Sequence, residues 1–78
     1  MNDRASRLGA AVRARRERLG LRQQDLADLA GCSTRFVHAL ESGKPSVRLD
    51  KLLDVFEALG LEVHVRRGSL GVSVEEPP

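Results

Sequence analysis

The sequence is poor in aromatic residues and has no long apolar run. Its 78 residues include two phenylalanines and neither tryptophan nor tyrosine, so leucine, valine and alanine must supply the buried surface, which favours a helical fold. A single cysteine, Cys32, excludes an internal disulfide bond. No stretch approaches the roughly 20 apolar residues that span a membrane. No hydrophobic signal segment is visible either, so a cytoplasmic protein is expected.

The sequence also lacks the groups of residues with which enzymes work. It shows no glycine-rich phosphate loop, no metal-ligand cluster and no sign of a buried carboxylate pair. Ser33, His38 and Glu41 are the residue types of a hydrolytic triad, but on one short helix they cannot converge as such a site requires. His38 and Cys32 are too few ligands for zinc. The sequence therefore predicts no enzyme, no cofactor and no metal site.

Charge is distributed unevenly along the chain. Residues 1–22 contain seven arginines and two acidic residues, a net charge of +5, whereas residues 23–78 have a net charge of −3. The length corresponds to one small domain, too short for two cores. A basic amino-terminal segment indicates an anionic partner, although an arginine-rich helix face also serves as solvated surface.

Two short helical patterns meet at Gly31. The first pattern runs from Gln23 and places Leu26 and Ala30 on one face, and Gly31 ends it because glycine adopts the left-handed conformation freely. Ser33 then provides a good N-cap for a second helix. The spacing predicts two helices joined by a tight turn.

The second of these helices has one apolar and one polar face. Val37 and Leu40 lie one turn apart and are expected to point inward. Thr34, Arg35 and His38 project outward near the start of the helix. A recognition helix presents residues to base edges in the major groove from these positions, so the pattern predicts DNA binding.

A first helix is predicted over about residues 6–19, with an arginine on its apolar stripe. The apolar members of the stripe are Leu8, Val12 and Leu19. Arg16 lies among them and needs a partner, because an unpaired buried charge is strongly destabilising. Glu41, next to the inward Leu40, is the candidate. The expected role of this ion pair is structural, since it would hold the first helix against the third.

A fourth helix is predicted over about residues 48–59, followed by a change of period. Its inward residues are expected to be Leu49, Leu52, Leu53, Val55, Phe56 and Leu59. After Gly60, Leu61, Val63 and Val65 alternate with polar residues, which predicts a β-strand over residues 61–66. A lone strand leaves both edges unpaired and must find a partner.

The predicted strand has two possible partners. Residues 70–74 could complete a hairpin within the chain through a turn at residues 67–69, or the same strand of a second subunit could pair with it. Gly71 and Ser73 weaken the tail as a strand, so pairing across a dimer is favoured. The interface is then expected to contain four residues: Val55, Leu61, Val63 and Val65.

The stretch GLRQQDLADLAGCSTRFVHALESGK resembles the Cro/C1-type (Xre) helix-turn-helix family, over roughly residues 8–60. The run LDKLLDVFEALGLEVHV is similar to HipB-like antitoxins of the Y4mF type. The first resemblance implies a mainly α fold whose third helix enters the major groove. Together with the patterns above and the second resemblance, the expected organisation is a four-helix DNA-binding domain over residues 1–60, a dimerisation strand over 61–67 and a flexible tail over 68–78. The second implies a homodimeric repressor that binds a palindromic operator, represses its own promoter and binds a HipA-like kinase toxin.

The resemblance also assigns roles to individual residues. The positions that read bases in the family are occupied here by Thr34, Arg35, His38 and Ala39. Arg35 is the strongest candidate, because its guanidinium can bond O6 and N7 of guanine together. Arg16 and Glu41 match the internal ion pair of the family, in agreement with the stripe described above.

Phosphate contacts are implied at the starts of two helices and in the following loop. The matching residues are Gln23, Ser33, Lys44 and Ser46. The family usually has Thr or Ser as the cap of its second helix, and Arg22 stands there in this sequence. An arginine cannot cap, so this helix is expected to start less firmly, and Arg22 is expected to contact a phosphate instead.

Two other functions fit the same residues. A phage-type repressor outside any toxin system shares the DNA chemistry and lacks the kinase partner. A protein-interaction module would use the same helices to bind another protein, with the arginines as solvated surface. Salt dependence separates this module from a DNA-binding protein, because phosphate contacts weaken steeply with ionic strength.

Overall fold

The computed structural model describes residues 3–68 and 72–75, and this part of the chain contains four helices. They are α1 (Asp3–Arg18), α2 (Gln23–Ala30), α3 (Thr34–Glu41) and α4 (Leu49–Ala58). Helix α1 packs on α3, and α2 packs on both α3 and α4. The predicted mainly α architecture is therefore confirmed, with α1 beginning earlier than the sequence pattern indicated.

One core joins all four helices. Its fully buried apolar side chains are Val12, Leu26, Ala27, Val37, Leu40, Val55 and Leu59. Further apolar side chains, among them Phe36 and Phe56, are half-buried against this core. Most of the buried surface is aliphatic, as the scarcity of aromatic residues requires.

The apolar face of α4 is wider than the surface that covers it. Leu49 is 66% exposed and Leu53 is 44% exposed, whereas Val55 is fully buried. The expectation that Leu49 and Leu53 point inward was therefore wrong. The same expectation for Leu19 was also wrong, because this residue lies beyond the end of α1 and is 44% exposed. The assignment of Val55 to a dimer interface was also wrong, because a side chain inside the core of one chain cannot reach another.

The predicted carboxy-terminal strand is not present in the single chain. Residues 61–66 have no regular secondary structure, and no strand occurs among residues 3–68 and 72–75. A strand exists through ladder hydrogen bonds to a neighbour, and the described chain offers these residues none. Leu61 is half-buried against the core rather than free for a partner. The alternative hairpin falls partly on residues 69–71, which lie outside the described residues.

Candidate nucleic-acid interface

Helices α2 and α3 are joined by a turn at residues 31–33. Gly31 has φ +71°, the left-handed region that the sequence predicted for it. The backbone N–H of Cys32 donates to the carbonyl of Ala27 at 3.0 Å, which closes the end of α2. Ser33 is the N-cap of α3, where its hydroxyl oxygen accepts from the backbone N–H of Phe36 at 3.0 Å. The turn thus sets the direction in which α3 leaves α2.

The outward face of α3 carries the predicted base-reading residues. Arg35 and His38 are exposed, and Thr34 and Ala39 are half-buried. Val37 and Leu40 hold the opposite face in the core. In the described part of the chain, the Arg35 guanidinium has no hydrogen-bond acceptor and no ion-pair partner. It is therefore available to a ligand outside the protein.

The structure brings Arg16 and Glu41 together between α1 and α3. The Arg16 Nε donates to Glu41 Oε2 at 2.7 Å and Nη2 donates to Oε1 at 2.9 Å, a bidentate pair. Nη1 also donates to the carbonyl of Leu21 at 2.8 Å. The two side chains are 11% and 4% exposed. The pair thus links α1, the segment that leads into α2, and the end of α3.

A third side chain completes this buried cluster. Gln23 Nε2 donates to Glu41 Oε1 at 3.1 Å, so the first residue of α2 braces the last residue of α3. Burial alone would raise the pKa of Glu41, but the hydrogen bonds from Arg16 and Gln23 outweigh it and lower the pKa. The hydrogen bond to Glu41 raises the pKa of Arg16 in turn. The cluster is charged, and it holds α3 in place.

The remaining predicted phosphate contacts lie at the surface. Ser33 is exposed at the start of α3, and Lys44 and Ser46 are exposed in the loop after it. Because the Ser33 oxygen accepts from the backbone, its hydroxyl proton is left to donate to an external oxygen. The Lys44 ammonium makes no ion pair within the described residues.

Arg22 is held differently from the expectation. Its guanidinium makes a two-point ion pair with Asp25, at 3.1 and 2.9 Å, and its backbone N–H donates to the same carboxylate at 2.8 Å. Asp25 thus satisfies the backbone N–H of Arg22, but the Arg22 side chain makes no cap hydrogen bond to the first turn of α2. The weaker start expected of this helix stays a prediction. The hydrogen bonds from the Arg22 side chain and backbone lower the pKa of Asp25 to about 2.

Gln24 of α2, which the sequence analysis did not assign, reaches the outward face of α3, and Asp28 of the same helix holds it there. Thr34 Oγ1 donates to Gln24 Oε1 at 2.7 Å, and Gln24 Nε2 donates to Asp28 Oδ1 at 2.8 Å. The spacing of Gln24 and Asp28, one helical turn apart, was the available signal. The contact across to Thr34 depends on the angle between α2 and α3, which no local pattern gives.

Over 3–68 and 72–75, no group of three or more His, Cys, Asp or Glu side chains could hold a metal ion. Nor does that part of the chain include a helix with the length and apolar character needed to cross a membrane.

A short helix, a glycine turn and a second helix with an exposed polar face define a helix-turn-helix fold. The chain belongs to the helix-turn-helix domain family, whose model matches residues 7–76. It is 41% identical over 58 residues to the uncharacterized HTH-type transcriptional regulator y4mF of Sinorhizobium fredii, covering 74% of this chain and 76% of that protein. The resemblance that the sequence showed to Xre-type proteins is thereby confirmed.

A solved structure has the same fold. The crystal structure of the restriction-modification controller protein C.AhdI from Aeromonas hydrophila matches with a TM-score of 0.69 and 33% sequence identity. The match covers 74% of this chain and 88% of the controller protein. The likeness therefore extends beyond the two helices of the motif to most of the four-helix domain.

Proposed function

We propose that this protein is a sequence-specific DNA-binding transcriptional repressor. The observation that carries the proposal is the outward face of α3, where the unpaired Arg35 guanidinium projects from a helix that a buried ion pair holds in place. Its relatives support the proposal, since one is named a transcriptional regulator and the other a controller protein. Bound at a promoter, the protein would block access to the DNA.

In this mechanism α3 enters the major groove from its amino-terminal end. Arg35 bonds O6 and N7 of one guanine, and Thr34, His38 and Ala39 contact neighbouring bases. Gln23, Ser33, Lys44 and Ser46 donate to phosphate oxygens and set the register of the helix on the duplex. Arg22 can join them only in addition to its ion pair with Asp25, or by giving it up.

The test of this function is DNA binding by the wild-type protein and by the Arg35→Ala variant, across a salt series. DNA sites selected from a random library serve as ligands, together with the region upstream of the coding sequence. Arg35→Ala is expected to lose discrimination at one base pair by about 1–3 kcal/mol, because the bidentate contact to guanine is gone. Fluorescence anisotropy measures both affinity and salt dependence.

Lys44→Ala is the matched control, since it removes one positive charge from the same surface. It is expected to weaken binding to all sequences alike and to lower the salt slope by about 1, leaving base preference unchanged. If Arg35→Ala behaves as Lys44→Ala does, Arg35 contacts a phosphate and the assignment is wrong. Binding that is weak and insensitive to salt would favour the protein-interaction module.

We further propose that the repressor is a homodimer that places two copies of α3 about 10 base pairs apart on a palindromic operator. The surface assigned to the partner includes Val63 and Val65 of the extended segment after α4. Val65 is 97% exposed and Val63 is 54% exposed, and the segment has no ladder partner in the described chain. A second copy would remove both valines from water.

The Val63→Glu, Val65→Glu double variant is expected to be monomeric, with the dimer dissociation constant raised by about 100-fold or more because two apolar contacts per chain are lost. Both side chains are exposed in the single chain, so the domain should still fold. Sedimentation equilibrium gives the result. The control is Leu49→Glu, Leu53→Glu on the exposed face of α4. If this control dissociates the dimer and the valine variant does not, α4 forms the interface.

The antitoxin role remains a prediction from resemblance. None of the contacts in the described chain points to a kinase partner, and the relatives' names state no toxin. A repressor with no toxin partner has the same DNA chemistry, so the experiments above apply to both.

A further inference from the structure

We infer that Gln24 and Asp28 determine which bases can form a hydrogen bond with Thr34. They orient the Thr34 hydroxyl group so that its oxygen accepts hydrogen bonds from DNA. The inference rests on the proposed DNA-binding function and assigns an effect on specificity to two residues of α2 that are linked to Thr34 by hydrogen bonds. In this relay, defined as Asp28, Gln24 and Thr34, the hydrogen bonds are 2.8 and 2.7 Å long.

The direction of each hydrogen bond in the relay follows from the chemistry of its first member. An ionised carboxylate can only accept, so the Gln24 atom that faces Asp28 must be the amide nitrogen. The Gln24 oxygen then faces Thr34 and can only accept as well. The Thr34 hydroxyl is therefore the donor in its bond to Gln24, and its single proton is used within the protein.

A hydroxyl whose proton is already donated offers its two lone pairs to other groups. Thr34 is the first residue of α3, at the end of the helix that enters the groove. In the major groove, cytosine N4 and adenine N6 are donors, whereas guanine O6 and thymine O4 are acceptors. The oriented Thr34 therefore favours a strand that presents cytosine or adenine at its position. Without the relay, the hydroxyl can rotate and serve either class of base.

The test compares base preference at the position that Thr34 contacts, measured with a randomised operator library. That position is the one at which Thr34→Val changes the selected bases. Gln24→Ala is expected to reduce the preference for cytosine and adenine at that position by about fivefold. This factor corresponds to the net free energy of one neutral hydrogen bond. Preference at the Arg35 position should not change. Gln24 is exposed, so the variant should remain folded, as thermal unfolding would verify.

A rescue variant separates orientation of the hydroxyl from simple packing. The double variant Gln24→Glu, Asp28→Asn preserves the net charge. In it the amide at position 28 donates to the carboxylate at position 24, which reverses the first hydrogen bond. The carboxylate oxygen that faces Thr34 can still only accept. This double variant is expected to keep the wild-type preference. Asp28→Ala leaves the Gln24 amide able to turn its nitrogen toward Thr34, so it should relax the preference as Gln24→Ala does. If the rescue variant showed a reduced preference for cytosine and adenine, the proposed orientation of the hydroxyl would be contradicted.

Three further outcomes overturn the inference. If Gln24→Ala selects the same bases as the wild-type protein, or if Thr34→Val alters no position, the relay does not act in recognition although the protein reads DNA. If the wild-type protein itself selects no sequence, the proposed function fails, and the inference fails with it. The wild-type library alone distinguishes these cases.

Discussion

Replacing Glu41 by alanine is expected to lower the free energy of unfolding by about 3–5 kcal/mol, because it leaves the Arg16 guanidinium buried without a counter-charge. The whole Arg16 residue is 9% exposed, and its guanidinium donates to both carboxylate oxygens of Glu41. The same change leaves the Gln23 amide without its acceptor. A domain of this length has a total stability of about 4–12 kcal/mol. The variant should therefore lose a large fraction of its stability, and urea titration followed by circular dichroism should show a much lower unfolding midpoint.

The control for this variant removes both charges at once. Arg16→Met with Glu41→Leu is expected to recover most of the lost stability, because a buried ion pair and well-packed apolar residues are often nearly equivalent. The double variant should nonetheless bind DNA less tightly, since Gln23 no longer braces α3. If Glu41→Ala and the double variant were equally unstable, the cost would arise from packing and not from the unpaired charge.

Acid should weaken the same cluster. The folded-state pKa of Glu41 is lowered, so its contribution to stability is complete above the ordinary value of about 4.3 and is lost as pH falls through the folded value. Asp25 acts in the same direction, with its contribution lost between about pH 4 and its folded pKa of about 2. Glu41→Gln should reduce the loss of stability in acid and leave the part that Asp25 contributes. An unchanged transition would show that Glu41 gains nothing from ionisation in the folded state.

The parts of this molecule that local chemistry determines could be predicted from its sequence. Gly31 ends α2 because it can adopt a positive φ, and Ser33 begins α3 because its hydroxyl can accept a backbone N–H. Arg16 and Glu41 could be paired because a charge on an apolar stripe requires a partner. In each case one residue type at one position leaves few alternatives.

The features that depend on how the helices pack could not be predicted in this way. Apolar periodicity marks Leu49 and Val55 alike as inward, but Val55 is buried in the packed domain and Leu49 is not. The packing of α4 against the other helices decides between them. The alternation of apolar and polar residues predicts a strand over residues 61–66. A strand also needs backbone hydrogen bonds to a second strand, and the sequence pattern does not show where that strand is. The contact of Gln24 with Thr34 likewise arises from the angle between two helices.

Gly9 allows α1 to lie directly against the end of α3, and Gly9→Ala is expected to destabilise the domain by up to about 2 kcal/mol. An added Cβ would lie 2.8 Å from the carbonyl oxygen of Glu41 and nearer still to that of Leu40. Both are backbone atoms, so no side chain can turn away and a helix must shift. Alanine gains about 1 kcal/mol over glycine in a helix, but forcing extra volume into a packed site costs about 1–3 kcal/mol. The steric cost outweighs the gain, and thermal unfolding measures the difference.

The neighbouring residue provides the control for Gly9. Ala10 is exposed on the same helix, so Ala10→Gly should lose about 1 kcal/mol through helix propensity alone. Gly9→Ala should differ by also weakening operator binding in the molecules that remain folded, because a shift of α1 displaces the end of α3 that carries Glu41. If Gly9→Ala instead raises stability by the propensity value, α1 and α3 can separate without loss. The recognition helix would then be held chiefly by its contacts with α2.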